Sequence, residues 1–279
     1  MGGLQIQNIT NLDYLVQMTQ MAYKSEQFER VIHIAEHLYS CAHDTYKQVQ
    51  FLKAKNKKKR LSINRPLVYY FGISHLLKGL ALQKLERYHE SLECIDKYQE
   101  LGWFIGLDAD GQVVVDDFRM FAHANRYSVH ILMGNKEVLD EYVTFLLDHP
   151  EEIIPECITI LEAAIAHGWQ IDEYLEKVLP YNESFAMLEE AENVSLFVHY
   201  MYCLALYRMP LCKSDAIDAL IRGIAVSCKI ELEAGFRKCC ALFESLRDSA
   251  TENQVIQYKN ILKGVISNEK NYAYISCHV

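Results

Sequence analysis

Two histidines and a glutamate stand together at His33-Ile34-Ala35-Glu36-His37, spelling H-x-x-E-H. On a helix that spacing brings both imidazoles to one face, where they can hold zinc while the carboxylate acts as a base. Ala35, however, occupies a packing position of a repeat described below. The histidines therefore belong to the opposite, solvent-facing side, and no partner glutamate is recognisable downstream. Cys41 and His43 have the types of a nucleophile and its base, but residues two apart on a helix point away from each other. Cys239-Cys240 and Cys277-His278 lack a second pair at zinc spacing. No G-x-S-x-G, phosphate-binding glycine loop or dinucleotide fingerprint occurs. These residues predict no enzyme, no resident metal and no cofactor.

The elements that must position these residues are helices. Prolines number five and glycines twelve, and scarcity of both breakers favours long helices. Apolar residues recur at spacings of three and four, as in Leu12, Leu15, Val16 and Thr19, then Phe28, Val31, Ile32, Ala35 and Leu38. Similar stripes run through 66–84, 88–101, 116–133, 137–147, 152–167, 195–208, 214–230, 234–247 and 252–266. Val113-Val114-Val115 is too short for a strand, and Asp116-Asp117 reads as a helix start.

The stripes repeat. Phe28 aligns with Tyr88, each opening a helix after a charged turn, with Val31, Ala35 and Leu38 matching Ser91, Ile95 and Tyr98. Gly134-Asn135-Lys136 opens a third copy with Leu139, Val143 and Leu146, and Lys213 a fourth with Ala216, Leu220 and Gly223. An apolar helix precedes each copy, containing Gly79-Leu80-Ala81 in the second and Leu204-Ala205-Leu206 in the fourth. A helix, a tight turn and a second helix with a small residue near its start is the tetratricopeptide pattern. The anchors are unevenly spaced, so the repeats are degenerate, with extra helices over roughly 151–192. The expected fold is all-α, a tetratricopeptide-like right-handed helical solenoid with a concave face. It spans 12–266, between a lead of residues 1–11 and a tail of 267–279.

Such a face suits recognition. Of 18 tyrosines, Tyr69, Tyr70, Tyr127, Tyr200, Tyr202 and Tyr207 fall on predicted first helices. Tyrosine offers apolar area with a hydrogen-bonding tip. Asn125 is a poor mid-helix residue, because its amide competes with the backbone. Counted back from Gly134 it lies on the groove face, with Phe121 and Ser128 a turn to either side. One amide can donate to a peptide carbonyl and accept from a peptide N–H. The alternative is a hydrogen bond between helices. The candidate groove residues are Tyr69, Phe121, Asn125, Ser128 and Tyr202.

Composition sets the setting. Hydrophobic residues make up 51% and charged residues 23%, a globular balance, and no apolar run approaches the ~20 residues of a bilayer crossing. A net charge of −9 makes the chain a poor generic DNA binder, since that affinity comes from neutralising phosphates. The one basic run, Lys53 to Arg60, reads as a solvated loop. Nine cysteines without framework spacing, several in apolar helical stretches (Cys157, Cys203, Cys228, Cys239 and Cys240), suit a reducing, cytoplasmic setting. The start of the chain shows no signal peptide.

Several segments resemble one family: RPLVYYFG at 65–72, LERYHES at 85–91, KYQELGW at 97–103, ILEAAI at 160–165, ALFESLR at 241–247 and ATENQVIQYK at 250–259. Over roughly 12–266 the chain is similar to the helical-repeat domain of Gram-positive transcriptional regulators that sense short peptides, the group including the Rap, NprR, PlcR and PrgX proteins. The resemblance implies a short signalling peptide lying in the groove, a homodimer and a role in quorum sensing. Members commonly carry an N-terminal helix-turn-helix. Here the first repeat begins near residue 12, so DNA contact is expected only through a domain absent from this chain. The alternative function is a protein–protein scaffold or anti-activator that binds a folded partner.

Overall fold

The computed structural model describes residues 9–57, 61–186, 191–228 and 233–276, and no strand occurs among them. The chain divides into two compact units, 1–133 and 134–279.

The first unit holds α1 (Leu12–Lys24), α2 (Phe28–Ala54), α3 (Leu67–Lys84), α4 (Tyr88–Gln99) and α5 (Ala109–Leu132). Asn11 caps α1 by accepting from the Tyr14 N–H at 2.9 Å. The α1–α2 and α3–α4 pairs are closed by the same turn. Glu26 and Glu86 adopt left-handed φ values of 56° and 59°. In each turn the N–H of the next residue reaches back to the last turn of the preceding helix, Gln27 to Ala22 O and Arg87 to Leu82 O, both at 2.9 Å. The backbone then enters the second helix through Gln27 (φ −88°, ψ 61°) and Arg87 (φ −87°, ψ 59°). Two segments sixty residues apart therefore share one backbone path.

Each helix packs on the next, and α3 also touches α1 and α5. Close approach needs small residues. Ser91 Oγ donates to the Gly79 carbonyl at 2.9 Å, and a Cβ on Gly79 would stand 3.2 Å from Cys94 Cβ. Gly72 lies under the Phe118 ring, which a Cβ would meet at 2.3 Å. Tyr70 donates to Asp13, which also accepts from the Asn64 N–H at 3.2 Å, tying the entry of α3 to α1.

The second unit holds α6 (Leu139–Asp148), α7 (Ile153–His167), α8 (Asp172–Ala186), α9 (Ala191–Arg208), α10 (Lys213–Ser227), α11 (Glu233–Leu246) and α12 (Glu252–Ser276). Helix α9 packs against α7, α8, α10 and α11. Gly223 sits where a Cβ would meet Met201 Cβ and Cys239 Sγ, each at 3.2 Å, and a Cβ on Gly235 would meet Val198 Cγ1 at 2.6 Å.

All twelve offset positions of the four copies are buried, from Val31, Ala35 and Leu38 to Ala216, Leu220 and Gly223. Other details differ from the sequence reading. Helix α5 begins at Ala109, not at Asp116, because Asp108 caps it by accepting from the Gly111 N–H at 2.8 Å. Helix α2 runs on to Ala54, so Lys53 and Ala54 of the basic run are helical rather than loop, where a cation suits the carbonyl end. Residues 58–60 of that run lie outside the described residues. The unit boundary, between Met133 and Gly134, falls inside the third copy.

Candidate functional site

In the first unit two of the five groove candidates, Tyr69 and Phe121, each meet Phe118 where α3 meets α5. Tyr69 is half-buried, with its ring 6.1 Å from Phe118, and Phe118 lies 5.9 Å from the half-buried Phe121. Arg65 stands over the Tyr69 ring at 5.7 Å. Burial pushes the Tyr69 phenol up, so it remains a neutral donor. Asn125, a turn beyond Phe121, donates its side-chain N–H to the hydroxyl of buried Tyr98 at 3.0 Å. One N–H of the amide therefore links α5 to α4, leaving the amide a second N–H and its carbonyl oxygen. Ser128 does not belong with the others. It is 2% exposed, and its hydroxyl bonds back to the Ala124 carbonyl at 3.2 Å. A serine can satisfy itself on its own helix, which spacing alone did not reveal.

The histidine motif is corrected in part. His33 and Glu36 are exposed as expected, and Glu36 accepts from Lys78 at 2.6 Å. His37 is half-buried, with Nε2 2.8 Å from the Ile9 carbonyl and 3.6 Å from Cys41 Sγ. The His37 N–H donates to the carbonyl, so that nitrogen is no base for the thiol. Burial first, then Asp44, raises the Cys41 thiol above its ordinary range, against nucleophilic use.

A second aromatic group, unforeseen from sequence, lies on the far half of α2. Tyr46 packs on Phe104 (4.6 Å) and edge-on to Trp103 (5.8 Å), and Trp103 meets Phe71 at 5.3 Å. The Ile105 N–H donates to the Tyr46 hydroxyl and its carbonyl accepts from Gln50, both at 3.2 Å. Trp103 and Ile105 remain 50% and 64% exposed. The adjoining hollow has a volume of about 180 Å³.

In the second unit Tyr202, the fifth candidate, is half-buried and lines a hollow of about 150 Å³ with Ser195, Val198 and His199 of α9 and Ala234, Gly235 and Lys238 of α11. Both hollows fall below the roughly 300–1,000 Å³ of small-molecule sites. Beside this one, Glu162 of α7 lies 3.8 Å from His199 Nε2, and His199 lies 3.8 Å from Cys203 Sγ. Spacing along the sequence does not assemble this group. The His-x-x-x-Cys spacing on α9 was a signal, but its third member comes from another helix.

The eight described cysteines are free, and Cys157, Cys203 and Cys239 are buried as expected, while Cys228 and Cys240 are half-buried. Cys277 and His278 lie outside the described residues. No helix among the described residues is long and apolar enough to cross a membrane. No family model, curated protein or solved structure matches the chain.

Proposed function

We propose that this chain is a recognition module, the peptide-sensing regulatory part of a bacterial transcriptional regulator, acting in the cytoplasm as a homodimer. In this reading α1–α2 and α3–α4 are tetratricopeptide-like repeats, stacked in the right-handed sense of that fold. The observation that supports it is the left-handed turn that α1–α2 and α3–α4 share at Glu26 and Glu86, each leading straight into a second helix, as copies of one unit would. Copies of a helix pair stack so that first helices line one face. The contacts of α3 with α1 and α5 fit that stacking. Tyr69 and Phe121 then form an apolar strip, half-covered and ready to receive side chains of an extended peptide. Any contact with DNA is assigned to a domain outside residues 12–266, in keeping with the charge of −9.

The scaffold reading is favoured by one observation, the exposure of Trp103 and Ile105 beside Tyr46. An exposed aromatic patch is what a folded partner would cover.

One experiment separates the two. Short linear peptides are selected by display on the full chain, and a selected peptide is titrated into Tyr69→Ala, Phe121→Ala and Trp103→Ala. We expect the first two to weaken binding about tenfold or more, ~1.4 kcal/mol, and the third to leave it unchanged. Failure to select any peptide, or loss confined to Trp103→Ala, would overturn the groove assignment.

A further inference from the structure

We propose that Glu162, His199 and Cys203 form a binding site for one divalent transition-metal ion, with zinc the best fit. The three ligand atoms (a carboxylate oxygen, Nε2 and Sγ) all lie within 4.8 Å of one another. Zinc bonds of about 2.0–2.3 Å in a tetrahedral shell place such atoms about 3.5 Å apart, so shifts of a few tenths of an ångström up to about 1 Å close the site. Glu162 pairs with His199 Nε2 at 3.8 Å, and the same nitrogen lies 3.8 Å from Cys203 Sγ, so the imidazole nitrogen stands within reach of both other donors.

The elements hold this convergence in place. His199 and Cys203 are four apart on α9 and so share a face, and α7 packs directly on α9 to supply Glu162. Cys203 is 4% exposed and fixes the floor of the site. The Glu162 and His199 side chains, 32% and 41% exposed, leave an ion a path from solvent.

The donor set chooses the metal. Thiolate and imidazole suit zinc and its neighbours, whereas magnesium and calcium take oxygen ligands. Binding releases the Cys203 thiol proton to solvent, and the thiolate with the Glu162 carboxylate then balances the dipositive ion. Three protein ligands leave a fourth tetrahedral position open. His199 also lines the hollow that contains Ser195, Tyr202 and Lys238, so the ion would sit at its edge, within reach of a water or a donor from a bound molecule.

The test is a cobalt titration of the chelator-stripped full chain, followed by displacement with zinc. One equivalent should produce a sulfur-to-cobalt charge-transfer absorption, which zinc abolishes, and zinc should raise the melting temperature. Cys203→Ser should remove the absorption, and Glu162→Gln and His199→Gln should each weaken cobalt binding by about tenfold or more. Absence of the absorption in the unaltered chain would overturn the site. So would its survival in Cys203→Ser, which would place the metal on other cysteines. If Cys203→Ser fails to fold, the two partly exposed positions decide, and unchanged cobalt affinity in both would overturn the proposal.

Discussion

Asn125 shows what one residue reveals and hides. Its poor fit to a helix interior was legible in the sequence and pointed to a special role. Its partner was not legible, because Tyr98 belongs to α4, twenty-seven residues earlier. Replacing Asn125 with alanine removes a hydrogen bond worth about 0.5–1.5 kcal/mol but adds a better helix former, worth about 0.5–0.7 kcal/mol. A net loss below about 1 kcal/mol follows, a fall in Tm of at most roughly 2–4 °C in a thermal melt. An unchanged Tm would mean the link to Tyr98 is worth no more than the helix-propensity gain, about 0.5–0.7 kcal/mol. Gly72→Ala should be the harsher change, although helix propensity favours it by about 1 kcal/mol. The new methyl would lie 2.3 Å from the ring of Phe118, which is itself 2% exposed and has nowhere to go. Overpacking of this kind costs about 1–3 kcal/mol or more, so denaturant unfolding should show a net loss and a lower midpoint.

At the scale of elements, the periodic stripes located most helices, because an amphipathic face is a property of the local sequence. Phe28, Tyr88 and Lys213 each open the helix the spacing assigned to them. Helices α7 and α8 fall within the 151–192 stretch where extra helices were expected. Two features escaped. Helix α5 begins seven residues early, because the cap at Asp108 outweighs three β-branched valines. Helix α2 continues past Leu38 because its far half is covered by residues that follow much later in the chain. The left-handed turns were invisible too, since glutamate is no signal for positive φ. That conformation costs a non-glycine residue about 1 kcal/mol. Glu86→Gly should relieve most of it, set against the greater freedom of glycine in the unfolded chain. Chemical denaturation should show a gain of up to about 0.5 kcal/mol, and Glu26→Gly should behave alike. A loss in both would show that the glutamates make contacts outweighing the strain.

At the scale of the whole molecule, acid should act through groups that the fold holds away from their ordinary titration. His75, packed on the Tyr39 ring at 4.8 Å, is pushed down to about 4 by burial, with Lys97 and Lys78 adding repulsion. The folded protein thus refuses a proton that the unfolded chain accepts near 6.5. The stability held above pH 6.5 drains away as pH falls toward 4. Glu244, held at about 2 chiefly by hydrogen bonds from Arg247, extends the same trend, losing its contribution between about 4.5 and 2. Melting curves at pH 7 and pH 5 should differ, and His75→Gln should narrow that difference while Glu244→Gln leaves it nearly intact. An equal difference in the His75 variant would refute the assignment. The overhang of α2 bears on how the chain is made. Its 27 residues span about 40 Å against about 20 Å for the 13 of α1, so its second half outruns its hairpin partner. Cover for Tyr46 and Gln50 comes from Ile105, 59 and 55 residues later. At roughly 5–20 residues per second of synthesis, that stretch of helix leaves the ribosome several seconds before part of its cover exists. For that interval the second half of α2 lacks the cover that Trp103, Phe104 and Ile105 give Tyr46 in the finished fold.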